Sequence, residues 1–323
     1  MNRLHDIFLT ALAPAIWGST YLVATETLPA GYPITLAALR ALPAGLLLLA
    51  WTRILPSGVW LWRSLVLGAL NFSVFWVLLY VAAYRLPGGV AATLGSVQAL
   101  LVILLSRPLL GTPIRAIAVA LSLAGVGGVA LLVLGPDAAL DPWGMLAAVA
   151  GAASMAAGTV LTRRWQAPVP ALGLAAWQLT AGGLLLLPLA WITEPALPRL
   201  DATNIGGLLW LTLAGAAITY WLWFRGLARL EPAAASMLGL ASPVTAVILG
   251  WAWLGQSLNG VQLAGMAIVL ASVVAGQLSH RPRPGGSGAH VAVRPRWPLR
   301  RQRPAMLRAP APVPAVPADR AGS

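Results

Sequence analysis

A guanidinium, a few hydroxyls and amides, a thioether and a set of aromatic rings are the chemical groups that this chain sets inside its apolar segments. They are Arg40, Ser19, Thr20, Ser96, Ser242, Asn71, Gln98, Met155, Trp17, Phe75, Trp76, Tyr80 and Tyr220. What is missing is as informative. Cysteine is absent, the histidines are His5, His280 and His290 near the ends, and Glu26 and Glu231 stand at segment boundaries. No Asp, Glu, Lys or His lies deep in an apolar run. A serine nucleophile needs a neighbouring base, and none is available. Phosphorylated ligands call for several cations in one cavity, and only Arg40 qualifies. The chain therefore does not read as an enzyme, and no metal or cofactor is expected.

The spacing of these groups places them on helix faces. Asn71 and Phe75 are four apart, and Trp76, Tyr80 and Tyr84 form an adjacent stripe at the same interval, so each set shares one side of a helix. Thr212, Thr219, Tyr220, Trp221 and Trp223 answer from a later segment. A pocket built from them is aromatic and uncharged, with hydroxyls and amides to orient a ligand and one guanidinium for a carboxylate. A zwitterionic amino acid with an apolar or aromatic side chain suits it better than an aromatic cation, which would find cation–π contact but no acid. Structural roles compete with this reading. Most Ser and Thr in such helices bond to neighbouring helices, many Trp and Tyr form the interfacial belt, and Arg40 can snorkel or fasten two helices.

The elements that must carry these groups are set by composition. Of 323 residues, 59% are hydrophobic and 9% charged, with a mean hydropathy of +0.81, against about 25% charged residues in soluble domains. The fold class is accordingly all-α, a polytopic membrane bundle. A bilayer core needs about 20 apolar residues per helix, and ten runs qualify. They cover about 7–27, 33–51, 64–84, 88–106, 114–134, 142–161, 171–191, 204–224, 232–254 and 260–278. If the first end is cytoplasmic, the inside loops hold Arg3, Arg53, Arg63, Arg107, Arg115, Arg163, Arg164, Arg225 and Arg229. The outside loops hold only Arg85 and Arg199. The positive-inside rule thus predicts both termini in the cytoplasm, with the first span uncleaved.

The chain also repeats. Leu36-Ala37-Ala38 and the Gly45 to Leu49 run recur 138 residues later at Leu174-Ala175-Ala176 and Gly183 to Leu187. Phe75-Trp76 pairs with Tyr220-Trp221 at an offset of 145, and Trp17 aligns with Met155. A five-helix unit is odd, so the second copy enters the membrane upside down. Inverted repeats of this kind enclose a midplane substrate site in many transporters. The predicted organisation is a first repeat over 1–139, a second over 140–279, and a disordered, basic cytoplasmic tail over 280–323. The tail lacks periodicity, and nine of the 21 arginines fall in it. A dispensable solvated tail is the first reading, attraction of its Arg residues to anionic lipid the second, and no nucleic-acid partner is expected.

Ten spans in two halves, Trp17-Gly18-Ser19-Thr20 in the first, Ala37-Ala38-Leu39-Arg40 in the second, and Pro232 with Ala235 and Ser242-Pro243 in the ninth carry a resemblance. The chain resembles the drug/metabolite transporter superfamily, in particular its ten-helix exporters of the EamA type. Gln98, where the family usually has proline, and Gly255-Gln256, where it usually has Gly-Glu, depart from its pattern. The resemblance implies a bacterial inner-membrane exporter, and among its branches the amino-acid exporters, aromatic ones included, fit the pocket described. Export of small neutral amino acids by alternating access is the expected function. It is facilitative, since no intramembrane carboxylate or His is present to titrate. Export of another metabolite or an aromatic drug, or a receptor or scaffold without flux, are the alternatives. A small-molecule substrate and the lipid bilayer are the expected partners, and both a monomer and a homodimer accommodate these spans.

Overall fold

The computed structural model describes residues 3–86, 94–133, 141–255 and 259–279. The predicted tail, residues 88–93 of the fourth span, Asp137, Gln256 and the side chain of Tyr84 lie outside that description. Every described element is a helix: α1 Arg3–Thr27, α2 Pro33–Thr52, α3 Val59–Gly68, α4 Val74–Arg85, α5 Gln98–Leu110, α6 Ala116–Val133, α7 Pro142–Trp165, α8 Ala171–Thr193, α9 Ala202–Thr212, α10 Thr219–Arg229, α11 Pro232–Leu238, α12 Ala241–Leu254 and α13 Gly260–Ser279. π-Helical turns at Ala69–Ser73 and Leu213–Ile218 join α3 to α4 and α9 to α10. Counting those joined pairs, and α11 with α12, as single helices, eight are long and apolar enough to cross a membrane. Leu94–Leu110 and Ala116–Leu132 are apolar but shorter.

Local chemistry sets the ends. The Asp141 carboxylate accepts the Trp143 N–H at 2.9 Å ahead of Pro142, an N-cap with proline in the first turn. That hydrogen bond, joined by Arg85 at 3.2 Å, holds the Asp141 carboxyl below the ordinary carboxylate range. Asp201 and Asn204 form a reciprocal capping box on α9, and Asn259 with Gln262 does the same for α13. The N-terminus of α2 is capped from a distance: Glu194, just past α8, accepts the Ile34 and Thr35 N–H groups at 2.7 Å each. Left-handed residues stop four helices, namely Arg53, Gly111, Gln166 and Gly255.

Several predicted edges move. The first helix begins at Arg3 rather than near residue 7, because Asp6 in its first turn is paired with Arg225 at 2.7 Å and Arg229 at 2.9 Å. α3 begins at Val59 rather than residue 64, and α5 runs through Pro108 to Leu110 rather than stopping at 106. The ninth run, read as one continuous helix, is interrupted between α11 and α12 at Gly239–Leu240.

Helices pack in recurring pairs. α2 lies along α8 and α6 along α13; α1 contacts α10 and α12, while α7 contacts α4 and α5. Trp51, Trp191 and Trp253 face outward at the rims and Leu46, Leu47, Leu184 and Leu185 along the shafts, all exposed. A water-facing surface of this kind would be a large apolar patch; against acyl chains it is the expected one. Arg3 donates to the Gln277 carbonyl at 2.8 Å, so the start of α1 and the end of α13 meet at one end of the bundle. Arg163 caps the end of α10 at the carbonyls of Leu227 and Ala228, which gathers Arg3, Arg163, Arg225 and Arg229 at that same end.

Candidate functional site

Two interruptions of regular helix organise the middle of the bundle. A π turn inserts a residue, so a carbonyl near it loses its usual partner and the backbone bulges. In the first, Ser154 of α7 donates to the Leu70 carbonyl at 2.8 Å. In the second, Arg40 of α2 donates from Nη2 to the Gly215 carbonyl at 2.6 Å. Each bulge is thus satisfied by a side chain from another helix, as buried backbone groups require. The segments lie 145 residues apart at Ser73 and Ile218, the offset that aligns Phe75-Trp76 with Tyr220-Trp221.

Arg40 is 5% exposed, and its guanidinium carbon lies 4.9 Å from the centre of the Trp76 ring. Behind Trp76 the rings continue. Phe72 meets Trp76 edge-on at 5.3 Å and Tyr220 at 4.5 Å. Tyr220 lies 4.8 Å from Trp17 and 6.0 Å from Phe224, and Trp17 lies 5.3 Å from Trp223. Edge-to-face contacts of this sort contribute about 0.5–1.5 kcal/mol each beyond their buried area. The Trp17 indole N–H donates to Thr219 Oγ1 at 2.9 Å, which fixes the ring's rotation. Of these rings only Trp17 is not fully buried, so it forms the accessible edge of the cluster. The Arg40 guanidinium is thus held between the Gly215 carbonyl and the Trp76 face. A carboxylate entering beside Trp17 would compete with that carbonyl for the guanidinium.

The groups proposed from the sequence divide among three places. Trp17, Arg40, Trp76 and Tyr220 come together in the aromatic cluster, and buried Met155 with half-buried Phe75 and Tyr80 packs into the same core. Asn71 is fully buried in the first π turn, where Nδ2 donates to Gln178 Oε1 of α8 at 2.7 Å. Gly158 of α7 leaves room for its amide, since a Cβ there would overlap the Asn71 side chain. Ser96, Gln98 and Ser242 are half-buried beside helix breaks, the first two flanking Val97 and the third following Leu240. Ser19 donates to the Ile16 carbonyl and accepts from the exposed Trp210 indole at 3.0 Å. The Thr20 hydroxyl is buried and lacks a partner. Gly18 of the Trp-Gly-Ser-Thr stretch serves contact: a Cβ would meet the Ser242 carbonyl at 2.5 Å and Thr245 Cβ at 2.7 Å, so α1 and α12 touch there.

Phe72, Phe224, Gln178 and the Gly215 carbonyl were not anticipated. Gln178 had a signal, since it stands 138 residues after Arg40, the offset of the Leu-Ala-Ala match. Both residues reach from the α2–α8 pair to a π turn, Arg40 to the second and Gln178 to the first. The other two amide atoms, Asn71 Oδ1 and Gln178 Nε2, are buried without partners. Replacing Gln178 by Leu strands the Asn71 amide as well, whereas replacing both removes the conflict. Unfolding of the two single variants and the double variant in detergent is expected to reveal a coupling of about 1 kcal/mol, as for interhelical hydrogen bonds in membranes. Additive losses would place the two amides outside a shared network.

Comparison with known proteins agrees with this architecture. The model of the EamA-like transporter family matches twice, over residues 6–134 and 142–275. Protein PecM of Dickeya dadantii is 44% identical over 264 residues, 81% of this chain and 89% of that protein. The "Probable amino-acid metabolite efflux pump" of Salmonella typhimurium is 27% identical over 305 residues, 88% of this chain and 98% of that one. A protein of known crystal structure, 22% identical, shares the fold with a TM-score of 0.75 over 86% of this chain and 98% of its own. With both matched stretches together taking in nearly all of the helical bundle, the chain belongs to the EamA-like transporter family.

Proposed function

We propose that this family member is a bacterial inner-membrane exporter of small neutral amino acids, aromatic or hydrophobic ones and those resembling Thr and Met. The observation that carries the reading is the buried Arg40 guanidinium against Trp76, at the edge of an aromatic cluster. A guanidinium pairs with a carboxylate through two parallel N–H···O bonds, and the rings accommodate an apolar side chain. The similarity to a protein named as an amino-acid metabolite efflux pump points the same way. The ligand would be held by Arg40, Trp17, Trp76 and Tyr220. Phe75, Tyr80 and Met155 would shape the wall, and Ser19, Thr20, Asn71, Ser96, Gln98 and Ser242 would supply hydroxyl and amide contacts as the halves move.

Those halves, residues 1–139 and 140–279, are inverted repeats in this reading, and they rock about the midplane. Support comes from the double match of one family model, the paired helix contacts and the π turns at corresponding offsets. Nine arginines in or beside the connections on one side, against two on the other, favour cytoplasmic termini. Transport is facilitative, because no carboxylate or His lies deep in a span, the nearest being His5, Asp6 and Glu26 at the ends of α1. The test is counterflow of labelled Phe, Met and Thr into liposomes holding only the purified chain. Uptake that persists after an ionophore collapses the proton gradient is expected. Flux of another solute with none of these three would refute the substrate assignment, and binding without flux would refute transport.

A further inference from the structure

A second cation lies away from the aromatic cluster, in the corner where α2 and α7 end and α3 and α8 begin. The Arg63 guanidinium carbon is 5.2 Å from the Trp60 ring centre and 5.3 Å from that of Trp165. The indoles beside it are held in place: Trp60 packs on Trp177 at 5.8 Å, and the Trp177 N–H donates to the Ile54 carbonyl at 2.7 Å. Trp60 and Trp177 are buried, Trp165 and Arg63 half-buried. Among the described residues Arg63 donates no hydrogen bond and meets no carboxylate. The sequence holds no acid between Glu26 and Asp137, so this corner has nothing of its own to neutralise the charge. Exposed Arg53 and Arg164 stand next in the chain to Ile54 and Trp165, which adds positive charge at the same rim.

We infer that Arg63 binds the phosphate of an anionic phospholipid. Rings against the guanidinium accept none of its N–H bonds in the plane of the fork, and that fork matches two phosphate oxygens. Tryptophans at helix ends mark the depth of the headgroups, which sets the cation level with lipid phosphate. Basic pockets between membrane helices recognise anionic headgroups in this way, each nearby Arg adding about 1 kcal/mol. The clamp differs from a snorkelling arginine, whose head moves freely in water, because buried Trp60 and half-buried Trp165 flank the guanidinium.

The experiment compares the purified full-length chain with Arg63→Gln, Arg63→Lys and Trp165→Leu in detergent, doped with phosphatidylglycerol, phosphatidylcholine or inorganic phosphate. Lipid retention by native mass spectrometry and thermal stability are read together. Phosphatidylglycerol is expected to be retained and to raise the unfolding temperature of the parent chain. Arg63→Gln should weaken retention about fivefold, the loss of one cationic contact. Arg63→Lys should restore part of it, since the charge remains but the fork does not. Trp165→Leu, which keeps the cation and removes one side of the clamp, should also weaken it, and this variant decides the matter should Arg63→Gln not fold. Equal retention of phosphatidylcholine, stabilisation by inorganic phosphate that matches the lipid's, or unchanged retention in Arg63→Gln would each overturn the assignment.

Discussion

Arg40→Lys is expected to fold and reach the membrane, yet to lose transport of carboxylate-bearing substrates by at least about thirtyfold in kcat/KM. The loss of a buried, hydrogen-bonded charge contact across an interface costs about 2–5 kcal/mol, and thirtyfold corresponds to the lower bound of that range. Lysine keeps the charge but has neither the planar face that lies 4.9 Å from the Trp76 centre nor a fork that reaches the Gly215 carbonyl and a ligand together. The comparison substrate is the amine lacking the carboxylate. If Arg40 reads the carboxylate, the parent chain prefers the acid and Arg40→Lys handles acid and amine alike. If Arg40 only ties α2 to the second π turn, the variant loses stability, and its discrimination between acid and amine is unchanged. Binding and unfolding measured on the same preparations separate these outcomes.

The largest structural effect is expected at the α2–α8 crossing. A Cβ on Gly183 would lie 2.7 Å from the Leu42 backbone nitrogen and from its Cβ, and a Cβ on Gly45 would lie 2.8 Å from Thr180 Cα. Leu42 and Thr180 differ by 138 residues, as do Gly45 and Gly183, so each helix offers the other a glycine and a bulkier neighbour in turn. Such small residues let helix backbones approach where lipid supplies no hydrophobic driving force between them. Gly183→Val forces that pair apart, because the obstructing atoms are main chain and cannot rotate aside. We expect a loss of about 1–3 kcal/mol, the cost of overpacking a tight interior, together with lower yield. Gly206→Ala is the matching control, since a Cβ at Gly206 meets nothing within 4 Å, and its effect should stay within about 0.5 kcal/mol. Equal thermal unfolding of the two variants would show that the crossing does not depend on close approach.

These tests also mark the line between what the residue order conveys and what it leaves open. Helix positions were legible because a 20-residue apolar run has few alternatives in a bilayer. Arg40 stood out because a charge in such a run needs a reason, and the offset of 138 identified Gly45 with Gly183 before any contact was known. The π turns at Ala69–Ser73 and Leu213–Ile218 were not legible. Their residues, Ala-Leu-Asn-Phe-Ser and Leu-Ala-Gly-Ala-Ala-Ile, are common in membrane helices, and reading by a 3.6-residue period assumes that no residue is inserted. The partner of Glu194 was equally hidden, since α2 lies 160 residues earlier than the carboxylate that caps its Ile34 amide.

Composition and order alone determined that this chain forms apolar helices, and that Arg40 and a set of rings lie deep in apolar runs where no acid does. Tertiary structure decided which of those groups meet. Trp17, Arg40, Trp76 and Tyr220 converge, Asn71 turns to Gln178, and Ser19 faces Trp210 instead. The reason is geometric. Burial of apolar length is a property of a segment, whereas a hydrogen bond or ring contact depends on the rotation and depth of two helices at once. Those rotations were set here by inserted π residues and by glycine contacts between helices far apart in the chain.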